Sequence, residues 1–138
     1  MIYISFPGTA REALTFYAGV FGGDLQLHTF EEFGRDDGPP DAIAHGVDDL
    51  LVAFGVLSGL VALAGSDAAT GEAAIRVEGF MLSLLGTARP AVLHEWFREL
   101  ADGGTVVDPL SPKSWGASDG QVIDRYGLHW LIGYEPGT

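Results

Sequence analysis

The stretch that decides the fold is Ile2–Arg11, IYISFPGTAR, because the chain repeats it at Phe80–Arg89 as FMLSLLGTAR. A serine, a glycine and the trio Thr-Ala-Arg coincide in the two copies, and most of the other positions are apolar in both. Each copy is typical of a short apolar strand, a glycine turn and the first residues of a helix. The repeat therefore predicts two modules that begin in the same way.

An amphipathic helix is predicted after each copy, because apolar residues recur there at helical spacing. Thr9 and Glu12 have the spacing of a capping box, in which a hydroxyl and a carboxylate bond the first amides of a helix. A pair of glycines then ends each helix. The apolar positions are Leu14, Tyr17, Ala18 and Phe21 in the first helix, and Leu93, Trp96, Phe97 and Leu100 in the second.

Three strand-like runs follow each helix, so each half predicts one βαβββ module. We expect an α+β fold in which two tandem βαβββ modules form a half-barrel sheet around a cleft. The chain is predicted to be a single domain, residues 1–138, with module one at about 1–66, a linker at about 67–77 and module two at about 78–138. The runs are residues 24–33, 43–56 and 60–64, then 105–110, 117–123 and 128–134.

The composition narrows the function classes. Nineteen acidic and seven basic residues give a formal charge of −12, which disfavours nucleic-acid binding and would attract a cationic ligand. The absence of cysteine excludes disulfides, zinc–thiolate sites and thiol nucleophiles. No secretion leader is visible, and the longest apolar stretch, residues 50–64, is too short for a membrane helix. A cytoplasmic protein that binds no membrane is predicted.

Several further motifs carry a resemblance to a known family. The repeat, Ala13–Tyr17 (ALTFY), Phe21–Gly23 and the run Trp115–Trp130 (WGASDGQVIDRYGLHW) resemble the vicinal-oxygen-chelate superfamily of glyoxalase, bleomycin-resistance and dioxygenase proteins, and its PhnB-like branch in particular. The resemblance implies paired βαβββ modules and a homodimer. In metal-using members it also implies four inward ligands, mostly His and Glu, that hold a divalent ion.

The positions that resemble those metal ligands are apolar here. They are Ile2, Phe80, Trp130 and one residue within 60–64, and such side chains cannot coordinate a metal. No metal or other cofactor is therefore predicted. If the register is shifted by one residue, a divalent metal becomes possible, with His45 and His129 as the fallback ligands. Asp48 to Val56 resembles an insertion, which leaves the direction of His45 open.

Five residues are predicted to bind the ligand: Phe6, His45, Leu63, Trp115 and Trp130. His45 lies in an apolar strand, where its ring needs a partner or a cavity. Trp115 and Trp130 can form an aromatic wall for a planar or cationic molecule, although core packing explains them equally well. His129 must face the side of its strand opposite to Trp130. The sequence assigns no catalytic residue.

Three function classes follow from these observations. The leading hypothesis is a small-molecule-binding protein without the usual divalent metal site, acting as a homodimer on a ligand that can be cationic. The alternative is a metal-dependent lyase, isomerase or dioxygenase-like enzyme with shifted ligands, in which His45 is a ligand or a general base. A third is a structural or regulatory partner domain whose own side chains fill the cleft.

Overall fold

The computed structural model describes residues 2–49, 63–76 and 78–137. The chain divides into two compact units, Met1–Ile75 and Arg76–Thr138. Within the described ranges, no helix has the length and apolar character needed to cross a membrane. Most of the apparent insertion, Asp48 to Val56, and the start of the predicted strand at 60–64 lie outside the described residues.

The first unit is one βαβββ module. Its strands have the order β1-β4-β3-β2, with β1 parallel to β4 and the other pairs antiparallel. Residues 30–33, predicted as strand, form a turn instead, because the Phe33 amide bonds the Thr29 carbonyl. The elements are β1 (Ile2–Phe6), α1 (Ala10–Phe21), β2 (Asp24–Thr29), β3 (Ile43–Asp49) and β4 (Leu63–Asp67).

The second unit has the same order of elements. Its sheet has the order β5-β8-β7-β6, with β5 parallel to β8. The predicted α+β fold of two βαβββ modules is therefore confirmed. The elements are β5 (Leu82–Leu85), α2 (Pro90–Ala101), β6 (Thr105–Pro112), β7 (Ser118–Ile123) and β8 (His129–Tyr134).

Each helix packs its apolar stripe on its own sheet, as predicted. In α1 the side chains of Leu14, Tyr17 and Phe21 are fully buried, while Ala18 is only half-buried. In α2 all four predicted positions are buried. Burial of a large apolar side chain contributes roughly 1.5–3 kcal/mol, so these stripes supply much of each unit's stability.

The start of α1 differs from the prediction. Thr9 makes no side-chain capping bond. Instead, the Ala10 amide donates to Asp67 Oδ1 at 2.9 Å, and the Ile43 amide donates to Asp67 Oδ2 at 2.9 Å. The bond at the start of α1 is therefore accepted by a carboxylate from β4 and not by the Thr9 hydroxyl, and this carboxylate ties the helix start to the beginning of β3. Asp67 is buried, so both bonds lie away from water.

Candidate functional site

Strand alternation gives the first sheet a face that α1 does not cover. Gly46 of β3 faces the helix, because a Cβ atom at this residue would lie 2.6 Å from Leu14 Cδ1. Its neighbour His45 therefore points to the opposite face. On β1, Tyr3 and Ser5 alternate with the buried Ile4 and share the face of His45. We call this side, defined by Tyr3, Ser5 and His45, the open face.

A tyrosine–histidine pair lies on the open face. The Tyr3 hydroxyl is 3.0 Å from His45 Nδ1, and the two rings stack with centroids 5.7 Å apart and planes inclined by 13°. When the hydroxyl donates to Nδ1, the neutral imidazole carries its proton on Nε2. Such a pair can hold a proton beside a bound molecule or pass it to that molecule. Tyr3 is 52% exposed, so a ligand can reach it.

A second polar pair lies along β1. The Ser5 hydroxyl donates to Glu72 Oε1 at 3.0 Å, and the Ile75 amide donates to the Ser5 carbonyl at 2.7 Å. These bonds hold residues 72–75 against β1. The open face therefore offers a phenol, an imidazole, a hydroxyl and a carboxylate, which together can accept and donate several hydrogen bonds.

His28 pairs with His45 across β2 and β3 but has its own partner. His28 Nδ1 lies 3.0 Å from Glu32 Oε1, and the His28 ring stacks on Phe33. This hydrogen bond is the main reason that the pKa of Glu32 lies below its usual value. The pair therefore belongs to the turn after β2.

The predicted ligand-binding residues separate by burial. Phe6, Leu63 and Trp130 are 0%, 4% and 2% exposed, so they present little surface to a ligand. The Trp130 indole donates to Asp124 Oδ2 at 2.8 Å, which makes it part of the core and of the turn after β7. His45 is half-buried on the open face, and Trp115 in the second unit is 69% exposed.

The fallback metal ligands have partners of another kind. His45 bonds Tyr3, and His129 Nε2 lies 3.0 Å from Gln121 Oε1. Across the described parts of the chain, no three His, Asp or Glu side chains converge as a metal site requires. Part of the fourth position, residues 60–62, lies outside the described residues. We therefore assign no chemical step to a metal ion.

Tyr3 and Asp67 were not predicted to matter. The β1 position that resembles a metal ligand is Ile2, one residue before Tyr3. Alternation on β1, with Ile4 and Phe6 apolar, was the signal that Tyr3 faces the other side. Asp67 had no local signal, because its partners Ala10 and Ile43 are distant in sequence.

Comparisons with known proteins add to this geometry. No protein-family model matches the chain. Protein PA1353 from Pseudomonas aeruginosa, whose crystal structure is known, is 32% identical in sequence. The match covers 96% of this chain and 94% of that chain, with a TM-score of 0.72. Protein YjdN from Escherichia coli K12 is 25% identical over 94% of this chain and 90% of its own length.

Two more distant structures share the fold. A PhnB protein from Bacillus cereus is 18% identical, covers 97% of both chains and has a TM-score of 0.71. A glyoxalase/bleomycin resistance protein/dioxygenase from Nocardioides is 17% identical, with 99% of this chain and 83% of that chain covered and a TM-score of 0.55. At these identities the likeness concerns the arrangement of the strands and helices.

Proposed function

Because the chain belongs to the vicinal-oxygen-chelate superfamily, of glyoxalase, bleomycin-resistance and dioxygenase proteins, we propose that it binds a small organic molecule on the open face of its first sheet. The observation that carries this proposal is the Tyr3–His45 pair, hydrogen-bonded and stacked on the face that α1 leaves uncovered. Small-molecule sites combine aromatic surface with a few placed polar groups, which is what the pair and the Ser5–Glu72 bond supply.

We further propose that this binding requires no metal ion. The support is that each candidate histidine already has a protein partner, Tyr3 for His45 and Gln121 for His129. Protein purified without a histidine tag, after growth with zinc, nickel, iron and manganese, is expected to contain no stoichiometric metal by mass spectrometry. Stoichiometric metal that falls in His45→Gln and in His129→Gln would contradict this and favour the enzyme alternative.

The binding proposal is tested by NMR on protein labelled at its histidine rings. The probes are the hemithioacetal of methylglyoxal with glutathione, catechol and a cationic glycopeptide. At least one probe is expected to shift the His45 ring signals. Tyr3→Phe should lower the affinity for that probe about threefold to tenfold, since one hydrogen bond contributes about 0.5–1.5 kcal/mol. Tyr126→Phe, which removes a hydroxyl from the turn after β7, is the matched control.

A second candidate function is acid–base catalysis by His45. The Tyr3 hydroxyl at 3.0 Å favours it, because a phenol on Nδ1 orients the ring and leaves Nε2 for the substrate. If the protein turns over the hemithioacetal or catechol, His45→Gln should lower kcat at least a hundredfold while His94→Gln leaves it unchanged. A probe that shifts the His45 ring signals without being turned over would contradict catalysis and support binding only.

The proposal includes a homodimer. It is supported by exposed apolar side chains on β6, the edge strand of the second sheet, where Val106 and Val107 are 45% and 50% exposed. An edge strand with exposed valines is a ready surface for a second copy. Light scattering after size exclusion should give twice the monomer mass of 14.6 kDa. A monomer at all concentrations would overturn this part.

A further inference from the structure

The second unit contains a cavity of about 340 Å³ where β5 and β8 end and β7 begins. Its volume lies within the roughly 300–1,000 Å³ of sites that hold small organic ligands. The cavity belongs to one unit and does not include the open face. Its described lining residues are Leu85, Gly86, Trp115, Ala117, Ser118, Asp119, Tyr134 and Glu135.

An exposed tryptophan forms one wall of this cavity. Trp115 is 69% exposed, although a side chain of this size is usually well buried. Its indole N–H donates to Asp119 Oδ2 at 3.2 Å, which holds the ring in a defined orientation. Tyr134 supplies a second ring, anchored by a 2.9 Å hydrogen bond between its hydroxyl and His94 Nε2. Both rings are therefore positioned by polar contacts.

The charge in the cavity has one sign. Asp119 and Glu135 bring carboxylates, and none of the described lining residues is basic. The nearest cation in sequence, Lys113, is held elsewhere, because its Nζ donates to Asp108, to the Pro109 carbonyl and to Ser111. The carboxylates are therefore not neutralised by this lysine, and the ring faces beside them also attract positive charge.

We propose that this cavity binds a small organic cation, a quaternary or protonated amine, with its charged group on the Trp115 ring and near Asp119 and Glu135. The ring face and the carboxylates attract the cation together, while Leu85 contacts its apolar part. An anion would be repelled by the same groups. A neutral ligand would gain from the rings but not from the carboxylates. The proposal does not depend on the open face, so either site can fail alone.

The test uses choline and its neutral isostere, 3,3-dimethylbutan-1-ol, which replaces the quaternary nitrogen by carbon. Choline should shift the Trp115 indole signal in ¹H–¹⁵N NMR spectra, with a dissociation constant of roughly 1–10 mM for so small a ligand. The isostere should bind at least fivefold more weakly. The indole signals of the buried Trp96 and Trp130 provide an internal reference.

Three variants separate the contributions to binding. Trp115→Ala should weaken choline binding, followed by calorimetry, at least fivefold. Asp119→Asn keeps an acceptor for the indole N–H but removes the charge, so it should weaken binding about threefold and reduce its dependence on salt. Glu95→Gln on α2 removes one charge from an exposed position outside the cavity and is the matched control. All variants are checked for an unchanged melting temperature.

Three results would overturn the proposal. One is a Trp115 signal that does not move when choline is added to about 100 mM, far above the expected dissociation constant. Another is equal affinity for choline and its neutral isostere, which would make the cavity a general apolar site. Binding that survives Trp115→Ala unchanged would place choline elsewhere on the protein and would equally contradict the assignment.

Discussion

The two sheets differ in the size of the residues that form one equivalent row across their central strands. In the first unit this row faces α1 and consists of Ile4, Gly65 and Gly46. The equivalent row of the second unit consists of Leu82, Trp130 and Val122. Where the first sheet has two glycines, the second has a tryptophan and a valine.

The surrounding residues explain how both rows pack. In the first unit the Phe6 ring occupies the space beside Gly65, and Leu14 and Leu27 occupy the space beside Gly46. In the second unit the Trp130 indole fills the core itself and needs Asp124 as an acceptor. The repeat therefore preserves the turn and the helix start, while each core is completed by different residues.

The two units also differ in where their buried aspartates lie. Asp67 pairs with Phe6, and the equivalent pair in the second sheet is Leu84 with Ile132. An acid therefore caps α1 where the second unit has an isoleucine, and Arg89, the N-cap residue of α2, makes no side-chain capping bond. Among the residues whose burial is described, each unit has one buried aspartate that accepts backbone amides, Asp67 in the first and Asp124 in the second.

The largest expected effect comes from Asp67→Ala. It leaves the amides of Ala10 and Ile43 buried without their acceptor, and each such group costs about 1–3 kcal/mol. We expect the free energy of unfolding to fall by about 3 kcal/mol or more in urea titrations. Asp67→Asn should lose less, because its amide oxygen still accepts one bond. A loss below about 1 kcal/mol for Asp67→Ala would show that α1 does not need this cap.

Gly65→Ala tests the glycine row directly. A Cβ atom there would lie 2.6 Å from the Ile4 carbonyl oxygen and 2.8 Å from Phe6 Cε2. Since the backbone cannot move aside cheaply, we expect a loss of about 2–3 kcal/mol in the same titrations. Gly19→Ala in α1, where a Cβ atom meets nothing, is the control and should stabilise slightly. Equal stability of both variants would contradict the inference that the first sheet needs glycine at position 65.

Trp130→Phe tests the opposite solution in the second unit. It removes the indole N–H that donates to Asp124 and part of the buried ring, so we expect the free energy of unfolding to fall by about 2 kcal/mol. Asp124 keeps its bonds from the Tyr126 and Leu128 amides, which limits the damage. Asp124→Ala removes all three bonds and should cost more than Trp130→Phe. The reverse order would mean that ring volume outweighs the polar contacts.

The smallest expected effect is at an exposed pair of the first unit. The His28 hydrogen bond lowers the pKa of Glu32 in the folded state, so its contribution to stability is present above about pH 4.5 and is lost as the pH falls through the lowered pKa. Glu32 is exposed and His28 is only half-buried, so the effect is small. Melting temperatures of Glu32→Gln and wild type should differ slightly at pH 6 and converge at pH 3. A constant difference would exclude the carboxylate charge as the cause.

The fold could be predicted from sequence because its signals are local and occur twice. The strand–turn–helix pattern at Ile2–Arg11 recurs at Phe80–Arg89, and the apolar stripes of both helices lie where their spacing puts them. The capping of α1 could not be read in this way. Thr9 and Glu12 satisfy a local pattern, but Asp67 reaches the Ala10 amide from β4 and forms a bond shielded from water.

The candidate sites could be predicted only in part, because a strand reverses its side chains at every residue. Trp130 and His129 differ by one position, yet the first is core and the second bonds Gln121. Trp115 was expected to contact a ligand, but its pairing with Asp119 depends on how the loop before β7 folds. Tyr3 lies one residue from Ile2, which resembles the metal-ligand position of β1, and its contact with His45 joins strands that are far apart in sequence.

The parallel pairing of first and last strands has a consequence for synthesis on the ribosome. Ile2 of β1 pairs with Leu63 of β4, and Leu82 of β5 pairs with Trp130 of β8, so neither sheet can close until its last strand has left the exit tunnel. Contacts of this long sequence separation form slowly. The nascent first unit must therefore keep β1 unpaired while most of its sequence is made, and a chain truncated before His129 would leave β5 without its neighbour.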